Sequence, residues 1–246
     1  MKGVTHFAIG ALTAVETSLL IDKPLTPSGF IFACVFSLLP DIDEPNSKIS
    51  TTLIKSSFSK AVYRYTLYLI NMIIFFILIY INKNLVLNFI ISFSLIILIE
   101  NKLKHALLRK CLFSLLSIIL SLSLYYIKAP FPFISLSIFL GVAPWLKHRG
   151  FTHSILGVMF IYYLLNEIEQ LLGSEYIALY GTIGYLSHLF LGDIFTKMGI
   201  PIFYPIFNKK ISLGFIKVGS FIGNLFEIIY IFIYFSIVIY TLKYKI

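Results

Sequence analysis

Nine apolar runs make up most of this chain, each cut from the next by a short polar island: residues 4–20, 28–39, 65–81, 85–99, 112–127, 131–146, 154–172, 176–191 and 221–242. A helix needs roughly 20 apolar residues to cross a bilayer, so most of these runs read as crossings and 28–39 as a partial one. Hydrogen-bonding groups of the backbone must be satisfied internally in lipid, which predicts an all-α, polytopic helical membrane protein. Composition agrees. Of the 246 residues, 59% are hydrophobic and 13% charged, and the mean hydropathy is +0.92. Soluble domains carry roughly 25% charged residues, so this chain has too little polar surface to cover a water-soluble globule. The reading is one membrane-embedded domain over residues 1–246. Met1-Lys2-Gly3 runs straight into the first apolar segment with no small-residue cleavage pattern, so no separate signal peptide is expected.

Between the runs, Asp22-Lys23-Pro24 and Thr26-Pro27 force a turn. Residues 41–64 read as a polar surface loop with an amphipathic piece from Leu53, 100–110 as a basic connector, and 199–217 as a Pro- and aromatic-rich interfacial stretch. If each run crosses, the polar islands at His6, Asp41, His148–His153 and His188–Asp193 all fall on one side. The same count puts fifteen of the 20 Lys and Arg there, Lys102 among them, and leaves Lys23, Lys83, Lys128, Lys243 and Lys245 on the other. The positive-inside bias then places the ligand side in the cytoplasm and the chain in the cell (inner) membrane. The formal net charge is +9, but no aromatic-basic RNA motif or helix-turn-helix is present, so nucleic acid is not expected and anionic lipid head groups are. Cys34 and Cys111 lie in or beside apolar runs without ligand spacing and read as reduced structural residues.

The islands carry the chemistry. Ionisable groups beside hydrocarbon are costly and mark function by default. His148 and His153 are five residues apart, about 140° around a helix, so both reach one centre only if Gly150 breaks the helix; Thr152 or Ser154 then caps the next one. His188 and Asp193 repeat that offset, with Gly192 marking where their helix loosens. Asp41 and Asp43, after Pro40, are carboxylates in a tight loop that suit one or two cations. Each island alone has a plainer reading. The 148–153 stretch fits a lipid-phosphate anchor, Asp43 or Asn46 a helix cap, His188 an interhelical hydrogen bond, and His6 a buried hydrogen-bonded histidine. His105, among Lys102, Lys104 and Arg109, reads as solvated loop. Taken together, histidine and aspartate in these numbers suit zinc, with manganese or iron as alternatives.

These residues also resemble a family. Thr5-His6, Leu39-Pro40-Asp41-Ile42-Asp43, the stretch from His148 to Ser154, Gly184-Tyr185-Leu186-Ser187-His188, and the tail from Asp193 to Pro201 with Tyr204-Pro205 look like the YdjM/YbcI-type membrane-bound metal-dependent hydrolases. That family is grouped by similarity with zinc-dependent phospholipase C and P1-type nucleases, so the resemblance implies a phospholipase C-like helical metal site. It implies His6, Asp41, His148, His153, His188 and Asp193 as metal ligands, to which the loop reading adds Asp43. The family spacing from the late histidine to its aspartate is often one residue shorter than His188–Asp193. The expectation is a metal-dependent hydrolase that cuts a phosphoester in a lipid or lipid-linked substrate. Asp41 and Arg149 are the catalytic candidates, and Arg149, Lys209 and Lys210 the substrate-binding ones. The rivals are a non-catalytic lipid-binding protein and a metal-handling transporter.

Overall fold

Polar islands set where the helices start and stop. In the computed structural model, which describes residues 1–44 and 47–245 apart from the side chains of Asn101 and Lys102, α1 (Gly3–Ile21) ends at Asp22 in the left-handed region. Thr26 then caps α2 (Pro27–Phe36), accepting from the Gly29 amide at 3.1 Å, with Pro27 preset for the first turn. A 3₁₀ turn over Leu39–Asp43 and the short α3 (Lys48–Leu53) follow. Two long antiparallel helices come next, α4 (Ser56–Ile81) and α5 (Leu85–Lys102), then α6 (His105–Tyr126) and α7 (Phe131–Val142). After the central 3₁₀ turn, Phe151–His153, come α8 (Ile155–Leu172), α9 (Ile177–Ser187), a π-helical turn His188–Gly192 and a 3₁₀ turn Asp193–Phe195. α10 (Phe221–Lys245) closes the chain. Among the described residues there is no strand, only isolated bridges that pin the 196–216 stretch.

Five helices (α1, α4, α6, α8 and α10) are long and apolar enough to cross a membrane, and α2, α5 and α7 are shorter apolar helices. Three expectations change. The loop predicted over 41–64 is mostly helical, because Ser56–Arg64 simply continues α4 outward beyond its apolar part. The basic connector 100–110 shrinks to a tight turn at residues 103 and 104 between α5 and α6. His105 is not solvated loop: it opens α6, half-buried, with Nε2 3.0 Å from the Ser59 hydroxyl and its ring edge-on to Tyr63. Asn46 and the charge of Lys102 lie outside the described residues; Ser47 is the cap of α3.

Packing between helices follows membrane rules, in which close backbone approach and interhelical hydrogen bonds replace apolar burial as the cohesive terms. α9 lies against α2 so tightly that a Cβ on Gly184 would stand 2.1 Å from the Ala33 carbonyl oxygen. α6 and α7 are joined by serines: Ser114 donates to the Gly141 carbonyl at 2.8 Å, Ser117 to the Ser137 carbonyl, and the Trp145 indole to Ser114 at 2.6 Å. Such bonds contribute about 0.6 kcal/mol each on average. The apolar core, including Phe36, Ile42, Phe139, Ile161, Tyr185 and Ile200, sits where α2, α7, α8 and α9 meet, below the turns that carry the polar islands.

Candidate metal centre

The turns that carry the polar islands meet at one place. Asp41, His153, His188 and Asp193 present ligand atoms that lie within 4.8 Å of one another. His153 Nε2 is 3.4 Å from Asp193 Oδ2 and 3.8 Å from Asp41 Oδ1, and His188 Nε2 is 3.5 Å from Asp41 Oδ1. A tetrahedral ion with bonds of about 2.0–2.1 Å holds its ligand atoms roughly 3.4 Å apart, so the four are close to spaced for one cation. His153 Nε2 and His188 Nε2 are buried and have no hydrogen-bond partner. Buried polar atoms are ordinarily paired, and two such nitrogens facing two carboxylates fit a bound cation.

Local backbone explains the convergence. A 3₁₀ helix has about three residues per turn, so positions two apart face different sides, and Asp41 and Asp43 diverge. Arg149 adopts a left-handed φ of 56°, which turns the chain so that His153 arrives at the cluster. The five-residue offset of His188 and Asp193 is absorbed by the π turn, in which the Asp193 amide donates to the His188 carbonyl five residues back. A π turn accommodates one extra residue without moving its flanks, so the longer spacing still brings both side chains to one face. Gly192 sits where that turn meets His6, and a Cβ there would lie 2.4 Å from the His6 ring.

The surrounding hydrogen bonds fix ring orientations. His188 Nδ1 lies 2.8 Å from the Ser37 carbonyl, which can only accept, so Nδ1 carries the proton and Nε2 the lone pair. His153 Nδ1 lies 3.0 Å from the Thr152 hydroxyl, which itself donates to Asp43 Oδ2 at 2.7 Å. Asp43 also accepts from the Arg149 amide at 3.1 Å and from His148 Nδ1 at 2.8 Å. His6 stacks on His188 with ring centroids 3.7 Å apart, and its Nε2 is 3.5 Å from Asp193 Oδ1. Thus the four-residue group contains four of the seven predicted ligands, and His6, Asp43 and His148 surround it. Asp43 does not cap a helix; Ser154 caps α8, accepting from the Gly157 amide.

Electrostatics follow burial. For Asp41 and Asp193 burial alone would raise the carboxyl, but the neighbouring imidazoles outweigh it and hold both well below the usual carboxylate range. For His153 burial pulls downward, and the facing Asp193 and Asp41 carboxylates reverse this, lifting it to about 9. Asp41 is 19% exposed while His153 and His188 are fully buried, so the open side of the cluster is at Asp41. It opens into a cavity of about 420 Å³ lined by Lys2, Lys48, Glu44, His148 and Arg149 among others.

Arg149 is placed differently from a free phosphate-gripping fork. Its guanidinium is buried, with Nη2 2.7 Å from Asp193 Oδ2 and Nη1 donating to Thr196 Oγ1 at 2.9 Å and the Gly199 carbonyl at 2.8 Å. Lys209 and Lys210 are exposed on the loop beyond Pro205 and are not among the cavity's lining residues. The lysines that do line it, Lys2 and Lys48, carried no sequence signal beyond their sign. Also unforeseen is Glu227, buried on α10, which accepts from the Lys2 amide at 3.2 Å and from the Thr5 hydroxyl and so anchors the start of α1 beside His6.

Fold and site together define a helical, multi-pass membrane protein with a buried His/Asp cluster suited to a metal ion. The chain belongs to the YdjM inner membrane protein family, whose family model matches residues 1–245. No curated protein and no solved structure matches it.

Proposed function

We propose that the protein is a metal-dependent hydrolase that cleaves a phosphoester in a membrane lipid or lipid-linked substrate. The observation that carries this reading is the convergence of Asp41, His153, His188 and Asp193 beside a cavity that Asp41 and Asp193 line together with Lys2, Lys48 and His148. Zinc suits two imidazoles and two carboxylates, and manganese or iron share that ligand preference. When bound, such a cation supplies Lewis acidity and a means of acidifying water. The chain's own residues do the rest. Asp43 and the Ser37 carbonyl hold the imidazoles in the tautomer that offers Nε2. Arg149 pairs with Asp193 Oδ2 and holds that carboxylate at the cluster. Lys2 and Lys48 attract the anionic head group, and Asp41, at the open edge, lies nearest the substrate. Kinship with phospholipase C and P1-type nucleases rests on the motifs and belongs to this proposal, as does a cytoplasmic location of the cavity.

The test is metal analysis of the purified protein, followed by turnover of phospholipids and lipid phosphates in nanodiscs supplied with zinc or manganese. We expect near-stoichiometric metal in the parent, its loss in His188→Ala, and phosphate-ester cleavage that follows metal content. A metal-loaded parent inert toward the whole panel would sink the enzyme reading. A metal-handling transporter is the second reading, favoured by Glu16, a carboxylate buried in α1 with Oε2 unpaired. Metal flux into proteoliposomes, abolished by Glu16→Gln, would establish it instead.

A further inference from the structure

The polar cavity above the cluster has an apolar neighbour. A groove of about 320 Å³ is lined by Phe7 of α1, Leu39, Ile49 and Leu53 around α3, and Leu136 and Leu140 of α7 among others. It contains no charged residue. Leu53 and Leu140 also line a second apolar cavity of about 170 Å³ that reaches Leu120 on α6, so the apolar path continues away from the cluster. Three separate elements serve both the polar cavity and the groove with closely spaced residues. On α1 they are Gly3 and Phe7, one turn apart; on α3 they are Lys48 and Ile49; in the 3₁₀ turn they are Asp41 and Leu39. The polar end carries Lys2, Lys48 and His148, and the apolar end carries only carbon-rich side chains and Thr52.

We propose that this groove holds one hydrocarbon chain of an anionic lipid whose phosphate lies in the polar cavity, so that chain length selects the substrate. The inference rests on the phosphoester reading for the position of the head group. An ordinary lipid of the surrounding bilayer would touch the outer faces of α4, α5 and α10, where the exposed apolar residues are spread. The groove differs from those faces in sharing α1, α3 and the 3₁₀ turn with a cavity lined by Lys2, Lys48 and two residues of the cluster, Asp41 and Asp193.

Leu53→Trp tests this, because Leu53 belongs to both apolar cavities and is exposed enough to take a larger ring without repacking the core. With the metal-loaded protein in mixed micelles, kcat/KM on dioleoyl phosphatidic acid should fall about tenfold or more, the scale on which apolar pockets discriminate chain fit. On dihexanoyl phosphatidic acid it should hold. Equal losses on both lipids, or on neither, overturn the proposal. Should Leu53→Trp fail to accumulate, Ile49→Phe narrows the groove from one turn away. A second arm needs no turnover: a phosphonate analogue of phosphatidic acid carrying a diazirine at the chain end should label α3 and α7 in the parent and lose that labelling in Leu53→Trp. Labelling of α3 and α7 in a parent that hydrolyses nothing would leave the groove standing while the hydrolase reading falls. Labelling spread over α4, α5 and α10 would overturn the groove itself.

Discussion

Asp43 uses both carboxylate oxygens on the loop that carries His153, binding His148, the Arg149 amide and Thr152 at once. Asp43→Asn keeps the shape but removes the charge, and an amide cannot accept at all three positions. Partners of this kind are worth 10–100-fold in metal affinity, so we expect zinc binding weakened by about that factor with the protein still folded, read by competition with a chelating dye. Protons compete for the same atoms. Because His153 is held up to about 9, the metal-free site keeps a proton on it at neutral pH. Zinc affinity should therefore rise as pH increases from 6 to 8, approaching tenfold per unit, and level off near 9. The metal-free protein should show the opposite trend. A raised folded-state pKa contributes stability that is fully present below the ordinary histidine value and lost as pH rises through about 9. Calorimetry with and without zinc at pH 6, 8 and 9.5 separates the two. Which residues gather around the cluster was legible in the sequence, because ionisable groups at the ends of apolar runs are conspicuous. Which atoms converge was not. The Ser37 carbonyl, the Thr152 hydroxyl and the Glu227 carboxylate are ordinary residues in sequence, and their roles arise only from partners far along the chain.

Among the helical elements, the π turn at His188–Gly192 is the one whose geometry the site depends on most. An α-helical turn brings residues four apart onto one face, and this turn does so for residues five apart. Removing one residue from it, at the partly exposed Phe190, should convert it to an α turn and leave His188 and Asp193 still facing the cluster. We expect that deletion to retain metal, as measured by bound zinc per chain. Deleting a residue such as Ile161 from the middle of α8 should not be tolerated, since it rotates everything beyond it by about 100°. Zinc-free protein from the Phe190 deletion would refute this view of the turn. Most helices were readable from the apolar runs, as were the breaks at Gly150 and Gly192. The helical turns before Arg64 and the tightness of the 103–104 connection were not, because polar residues at a membrane surface are compatible with helix and loop alike.

Across the whole molecule the helices are unequal in attachment. α4 packs on α5 and α6, whereas α8 and α9 sit in the core. Among the described residues the cluster takes its side chains from the turns that carry the polar islands and none from α4, α5 or α6, and the bundle holds those turns at one end. The basic residues gather at that same end, which predicts its orientation. In protein with Cys34 and Cys111 replaced, a cysteine introduced beside Lys104 should be shielded from an impermeant thiol reagent in intact cells, and one beside Ser174 should react. The reverse pattern would invert the topology. The pairing of α1 with the last third of the chain has a further consequence, in time rather than in space. A ribosome delivers Ser37, which fixes one imidazole, 151 residues before His188 exists to meet it. Asp41 thus enters the membrane without its partners, and the final member of the cluster, Asp193, emerges only when most of the helices are in place. On the proposed reading metal loading is a late event in the life of this chain, and a nascent chain halted before Asp193 lacks one of the four residues of the cluster.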